Sequence, residues 1–191
     1  IFECAVGIES LENTYTSRLR ATAADLIPTF AKAVIDAGAD VFVGHGPHVL
    51  RGIEIYKGKP IFYSLSNFIF QNETVLRFPE DSYEEYGLGV DAQPSDYLDA
   101  RHDQDLRSFP ADREYWDSVT AITKWEGGKF VGVELHPITL GFQTPRSARG
   151  RPKLASGADA ERILEMLATR SRVFGATLTI KNGVGIITPT P

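Results

Sequence analysis

Cysteine is almost missing from this chain of 191 residues; Cys4 is the only one. A single thiol excludes an intrachain disulfide and leaves the redox compartment open. An excess of basic charge is missing too: 20 Lys and Arg stand against 25 Asp and Glu, a net charge of −5. Nucleic-acid-binding domains carry the opposite balance, so no nucleic-acid partner is expected. No apolar run approaches the roughly 18 residues that span a bilayer. What is present is ordinary globular material, 42% hydrophobic and 10% aromatic. Its length suits one domain with a real core, or part of a larger one. The opening Ile1-Phe2-Glu3-Cys4-Ala5-Val6 reads like the interior of an element, which leads to the expectation that this is the C-terminal portion of a longer protein.

A helical period begins after Asp25, an expected N-cap. Leu26, Ile27, Phe30, Ala31, Val34 and Ala37 fall on one apolar stripe, Pro28 is tolerated in the first turn, and Gly38 is a natural stop. Val41-Phe42-Val43 follows as a short buried strand. Residues 53–56 and 61–63 read as a strand pair around a Lys57-Gly58-Lys59-Pro60 turn, after which Ser64-Leu65-Ser66-Asn67 bends the chain. Residues 71–116 lack a clean period but hold many Asp, with Tyr83, Tyr86, Tyr97 and Tyr115 among them. A long loop or lid insertion made of short helical turns over a cleft is expected there. Residues 119–125 and 130–135 form a hairpin on Gly127-Gly128, with Val131, Val133 and Leu135 on one face. A helix over 158–170 and a hairpin of 176–180 with 184–187 close the chain. Helix, tight turn, buried strand and ligand-bearing loop, in that order, specify an α/β class with residues 1–191 as one domain.

The most informative segment is Gly44-His45-Gly46-Pro47-His48, directly after the buried strand. Open α/β sheets place ligands beyond the carboxyl ends of their strands. Gly44 and Gly46 are expected to supply positive φ, and Pro47 fixes the approach to His48. Two imidazoles on so short a turn are suited to aim neutral nitrogens at metal, and imidazole accepts Zn, Mn and Fe alike. The competing reading is a pair of histidines that only hydrogen-bond their own turn.

Residues 35–54, followed by Lys59-Pro60-Ile61-Phe62-Tyr63-Ser64-Leu65-Ser66-Asn67-Phe68, resemble the bacterial capsule-synthesis CapA family linked to poly-γ-glutamate synthesis, a distant relative of calcineurin-type metallophosphoesterases. The close match covers roughly residues 33 to 72. The resemblance implies a metallophosphoesterase-like four-layer α/β/β/α sandwich, here its C-terminal portion, with a pair of divalent transition metals (Mn, Fe or Zn) at the strand ends. His45 and His48 occupy the positions that give one His to each metal. Two cations about 3.5 Å apart need ligands diverging from one turn, and they activate water and clamp a phosphoryl or acyl oxygen. The Asp-x-His, Gly-Asp and Asn-His-Asp/Glu elements of the pattern are absent, so further ligands are expected upstream of Ile1. The family usually has Gly where Ser66 stands, a departure that bears on the backbone before Asn67. The resemblance also implies a cell-envelope location, with the cytoplasm as the alternative.

Further candidates follow from position. Asn67 is expected to hydrogen-bond a substrate oxygen or a ligand histidine, or else its own turn. Arg51 and Ser64 are expected to touch substrate, with a solvated surface role as the alternative for Arg51. Arg146, Arg149, Arg151 and Lys153 form a basic stretch that either lies solvated or attracts an anionic polymer such as polyglutamate. His102 reads as a solvent-exposed histidine, with a general acid on a lid as its rival. His136, before Pro137, reads as structural, and Glu3 and Glu9 have no partner at useful spacing. The leading expectation is a metal-dependent hydrolase acting on an anionic substrate, a phosphoester or a polyglutamate amide. The alternative is a non-enzymatic polymer-binding accessory that works with capsule synthase or export proteins.

Overall fold

The computed structural model describes residues 3–4 and 26–189. Asp25, Glu9 and the other positions before Leu26 therefore lie outside the described residues, apart from the backbone of a two-residue strand. The first sheet runs β1 (Glu3–Cys4), β2 (Phe42–Gly44), β4 (Lys59–Phe62), β3 (Ile53–Tyr56), with β2 parallel to both of its neighbours and β3 antiparallel to β4. The second sheet is antiparallel, in the order β5 (Asp117–Glu126), β6 (Lys129–Thr139), β9 (Val184–Ile187), β8 (Thr179–Lys181), with β7 (Lys153–Leu154) beside the end of β6. Two sheets with helices make this an α/β fold.

Helix α1 (Leu26–Asp36) ends where the Ala39 and Gly38 N–H groups reach back to the Val34 and Ile35 carbonyls, at 3.2 and 3.0 Å. Gly38 supports that cap with φ +111°. The helix buries Ala31 and Ile35 against Phe42, Ile61 and Tyr63, while Leu26 and Phe30 of the expected stripe are exposed. The opposite face of the same strands, Val41, Val43 and Phe62, joins Val119, Phe130, Val133, Leu135 and Ile187 of the second sheet. Helix α4 (Gly157–Arg172) adds Ile163, Leu164 and Leu167 to that shared core. Apolar burial on both faces explains why 41–43 is a continuous hydrophobic run.

Three local expectations change. The β3–β4 turn is only Lys57-Gly58, at φ +51° and +72°, a two-residue connection that leaves Lys59 and Pro60 inside β4. The last hairpin starts at Thr179, so 176–178 is not strand. In the β5–β6 hairpin the register slips: Lys124 faces Gly132 while Trp125 faces Phe130. Val131 is the extra residue of a β-bulge, and Phe130 takes the core position beside Val133 and Leu135 in its place. His136 sits within β6, which runs on through Pro137 to Thr139.

Residues 71–116 contain short helical pieces: a 3-10 turn (Asn72–Thr74), α2 (Glu80–Glu85), α3 (Pro94–His102) and a second 3-10 turn (Arg113–Trp116). Among the described residues no helix is long and apolar enough to cross a membrane.

Candidate functional site

The loop after β2 is shaped by packing first. A Cβ on Gly44 would stand 2.7 Å from the Tyr63 carbonyl oxygen, so glycine is needed for close approach of β2 and β4. Of the two glycines expected to supply positive φ, Gly46 does so (+121°) and Gly44 does not, and His48 itself adds a second such position (+56°). Val49 and Leu50 are fully buried, and Leu50 bridges Leu65, which ties the histidine loop to the 64–67 bend. His45 and His48 are exposed on this anchored turn.

Ser66 also holds a left-handed backbone, φ +66°. Such a conformation costs a side-chain-bearing residue about 1–2 kcal/mol. Two strained residues face each other here, and Ser66 Oγ donates to the His48 carbonyl at 3.0 Å. The position where the resembled family has glycine thus has a glycine-type backbone, held in this chain by a serine hydroxyl.

Asn67 is the organising side chain. Its Nδ2 donates to the carbonyls of His48 (3.3 Å) and Tyr115 (3.1 Å), which leaves Oδ1 to face His48 Nδ1 at 2.7 Å. An amide oxygen only accepts, so Nδ1 carries the hydrogen and the neutral ring presents its lone pair at Nε2. That is the arrangement in which a partner on one ring nitrogen orients the other for a ligand.

The bend is braced from behind. Ser118 Oγ donates to the Leu65 carbonyl at 2.8 Å, and the Ile53 N–H donates to Ser171 Oγ at 3.1 Å. Arg170 donates to the Leu50 carbonyl and, at 2.8 Å, to Glu114. Gly52 lets α4 come this close: a Cβ there would lie 2.3 Å from the Arg170 carbonyl oxygen.

Arg51 and Ser64 are placed differently from the expectation of substrate contact. Both are buried, and the Arg51 N–H donates to the Ser64 carbonyl at 3.0 Å. Ser64 Oγ accepts the Ser66 N–H at 3.2 Å. Both therefore shape the bend from within. His102 is not solvent-exposed: it is 2% exposed, both ring nitrogens lack a hydrogen-bond partner, and the ring lies 4.3 Å from that of Phe109. Burial, reinforced by the Arg101 charge, pushes its pKa down to about 4. His136 is half-buried, with Nε2 at 3.7 Å from the Glu134 carboxylate.

The basic stretch divides. Arg151 and Lys153 are exposed. Arg149 is buried, with Nε 2.7 Å from Glu73 and Nη1 2.8 Å from Asp105; Arg146 binds Asp99 at 2.7 Å and Asp105 at 3.0 Å. Burial favours the neutral form of Asp105, but the Arg149 and Arg146 hydrogen bonds outweigh it and hold the pKa at about 2. These two arginines are occupied by the acids of the 71–116 segment. The complementary charges of the two segments were the sequence signal for this pairing. The Tyr115 contact had no such signal, because it is made by a backbone carbonyl.

Among the described residues no three His, Cys, Asp or Glu side chains converge as a cation site. The fit to a metal rests on two imidazoles, one with its outer nitrogen freed by Asn67.

Residues 20–72 match the model of the family described as bacterial capsule synthesis protein PGA_cap. The Sinorhizobium fredii protein y4sH is 39% identical over 175 residues, covering 86% of this chain and 37% of its own length. The PGA biosynthesis protein CapA of Bacillus subtilis is 65% identical over 40 residues, 21% of this chain and 10% of that protein. A probable polyglutamine synthesis accessory protein of Mycobacterium tuberculosis is 46% identical over 46 residues, 24% of this chain and 12% of that protein. The chain thus spans little more than a third of the length of its Sinorhizobium relative. The segment that holds β2, the histidine loop and the Ser66-Asn67 bend is thus similar to the PGA_cap family of bacterial capsule synthesis proteins.

Proposed function

We propose that this chain is part of a metal-dependent hydrolase-like protein associated with capsule or poly-γ-glutamate synthesis, in which His45 and His48 each ligate one member of a divalent transition-metal pair. The observation that carries the proposal is the Asn67 grip on His48: the 2.7 Å contact at Nδ1 directs the lone pair of the exposed ring outward from Nε2. When bound, the metals would supply Lewis acidity toward water and toward a phosphoester or glutamyl amide oxygen. The chain's own residues do the positioning. Asn67 and Ser66 hold His48, Arg51 and Ser64 shape the bend, and exposed His45, Gly46 and His48 leave room for an anionic substrate. The remaining ligands come from outside the described residues, and the 71–116 segment serves as the lid.

The test is metal analysis of the purified full-length protein, beside turnover of a generic aromatic phosphoester. His45→Ala and His48→Ala are each expected to lose one metal equivalent and the activity. Full metal content with full turnover in both variants would overturn the assignment.

A second reading is a non-enzymatic accessory that holds an anionic polymer; the only support for it is that the Mycobacterium relative is named an accessory protein of polymer synthesis. Polyglutamate binding that persists in chelator, without turnover, would select it. Arg146 and Arg149, already paired, would contribute little to such binding.

A further inference from the structure

We infer that Arg149 is a positioning residue for His48, acting through the 71–116 segment and Asn67. The inference rests on the proposed ligand role of His48 and deepens it.

One buried cation gathers the segment at three points. Arg149 reaches Glu73 near its start through Nε at 2.7 Å. It reaches Asp105 beyond α3 through Nη1 and Nη2, at 2.8 and 3.1 Å. Its guanidinium also lies 5.3 Å from the ring centroid of Trp116, at the segment's end. Trp116 is fully buried, donates from Nε1 to the Phe109 carbonyl at 2.9 Å, and meets Phe70 edge-on at 5.3 Å. The next residue is held as well: Gly150 accepts the Phe70 N–H at 2.9 Å and donates to the Leu140 carbonyl at 2.7 Å. With Arg146 and Asp99 the network sets two arginines against three carboxylates, so no cationic charge is left over for a free anion.

The network ends beside the site. Tyr115 precedes Trp116, and its carbonyl accepts one of the two hydrogen bonds that orient the Asn67 amide. If Trp116 and Tyr115 shift, that acceptor leaves and only the longer bond to the His48 carbonyl, 3.3 Å, keeps Nδ2 turned away from the imidazole. A flipped amide would offer a donor to His48 Nδ1 and select the tautomer with its hydrogen on Nε2. Arg149 therefore decides which nitrogen of His48 carries the lone pair, without touching the ring.

The test reads the tautomer directly. In the full-length, chelator-treated protein with nitrogen-15-labelled histidine, long-range proton–nitrogen correlations at pH 8 report which His48 nitrogen bears hydrogen. His48→Gln supplies the assignment. The native protein should show the Nδ1–H form. Arg149→Met should move His48 from the Nδ1–H form toward the Nε2–H form, and Arg149→Lys should restore part of the native signal. Glu73→Gln and Asp105→Asn each remove one arm and should give smaller shifts; they carry the test if Arg149→Met does not fold. A native His48 signal in a folded Arg149→Met, or in both single-arm variants, overturns the inference. Because the measurement is made without metal, failure of the ligand assignment would appear separately, in the metal content.

Discussion

Asn67 Oδ1 lies 2.7 Å from His48 Nδ1, while the same amide donates to the His48 carbonyl. One side chain thus grips both the ring and the backbone of a residue that itself holds a left-handed φ of +56°. Removing the grip frees the ring and leaves the Tyr115 carbonyl without this donor. Asn67→Ala is expected to lower metal affinity by about 10–100-fold, read by competition with a chelating dye. Unchanged affinity would remove Asn67 from the site.

Ser66 separates backbone strain from hydrogen bonding. Ser66→Ala keeps the left-handed backbone and loses the bond to His48, which should cost about 1 kcal/mol. Ser66→Gly loses the same bond but relieves about 1–2 kcal/mol of strain. Urea midpoints should therefore rank Gly at or above the native protein and Ala below it. The reverse order would mean that the strain is absent.

Gly52 sets the distance between the histidine loop and α4. A methyl group there meets the Arg170 carbonyl oxygen at 2.3 Å and the Phe174 ring at 2.8 Å. Backbone cannot rotate out of the way, so Gly52→Ala should destabilise by about 2 kcal/mol or more. A shift of α4 would also loosen Arg170 from Leu50 and Ser171 from Ile53, and a denaturation curve beside metal titration would register both effects.

His102 predicts a pH dependence with a definite sign. Its folded pKa of about 4 lies below its ordinary 6.5, so between these values the unfolded chain binds the proton more readily. This contribution to stability is intact above pH 6.5 and falls by ~3 kcal/mol as pH drops to about 4. His102→Leu should flatten that slope and, by removing two unpartnered ring nitrogens from an apolar site, leave the protein no less stable near pH 7. Equal slopes for native and variant protein between pH 4 and 6.5 would refute the assignment.

Much of the frame is legible in the sequence because it follows from local rules. The 41–43 run, the Gly38 stop, the Asn182-Gly183 turn and the α4 stripe each carry their reason in neighbouring residues. The histidine loop is legible for the same cause. In the 71–116 segment the short helical turns are legible but their placement is not: they are held by Arg149, Arg146 and Trp116, and partners far along the chain leave no period. His102 reads as a surface residue among acids, yet it turns inward onto Phe109 because α3 closes over that ring. Arg162 likewise forks onto the buried Asp117 at 2.6 and 2.8 Å, a pairing across 45 positions that no motif announces.

The bulge at Val131 uncouples the length of the β5–β6 hairpin from the pattern of its buried face. Deleting that residue would leave Lys124 facing Gly132 and Trp125 facing Phe130 and restore a regular two-residue rhythm, with Phe130 still on the interior face beside Val133. Shortening this arm by Val131 should therefore cost far less than truncating Phe130, because Val131 itself supplies none of the buried core.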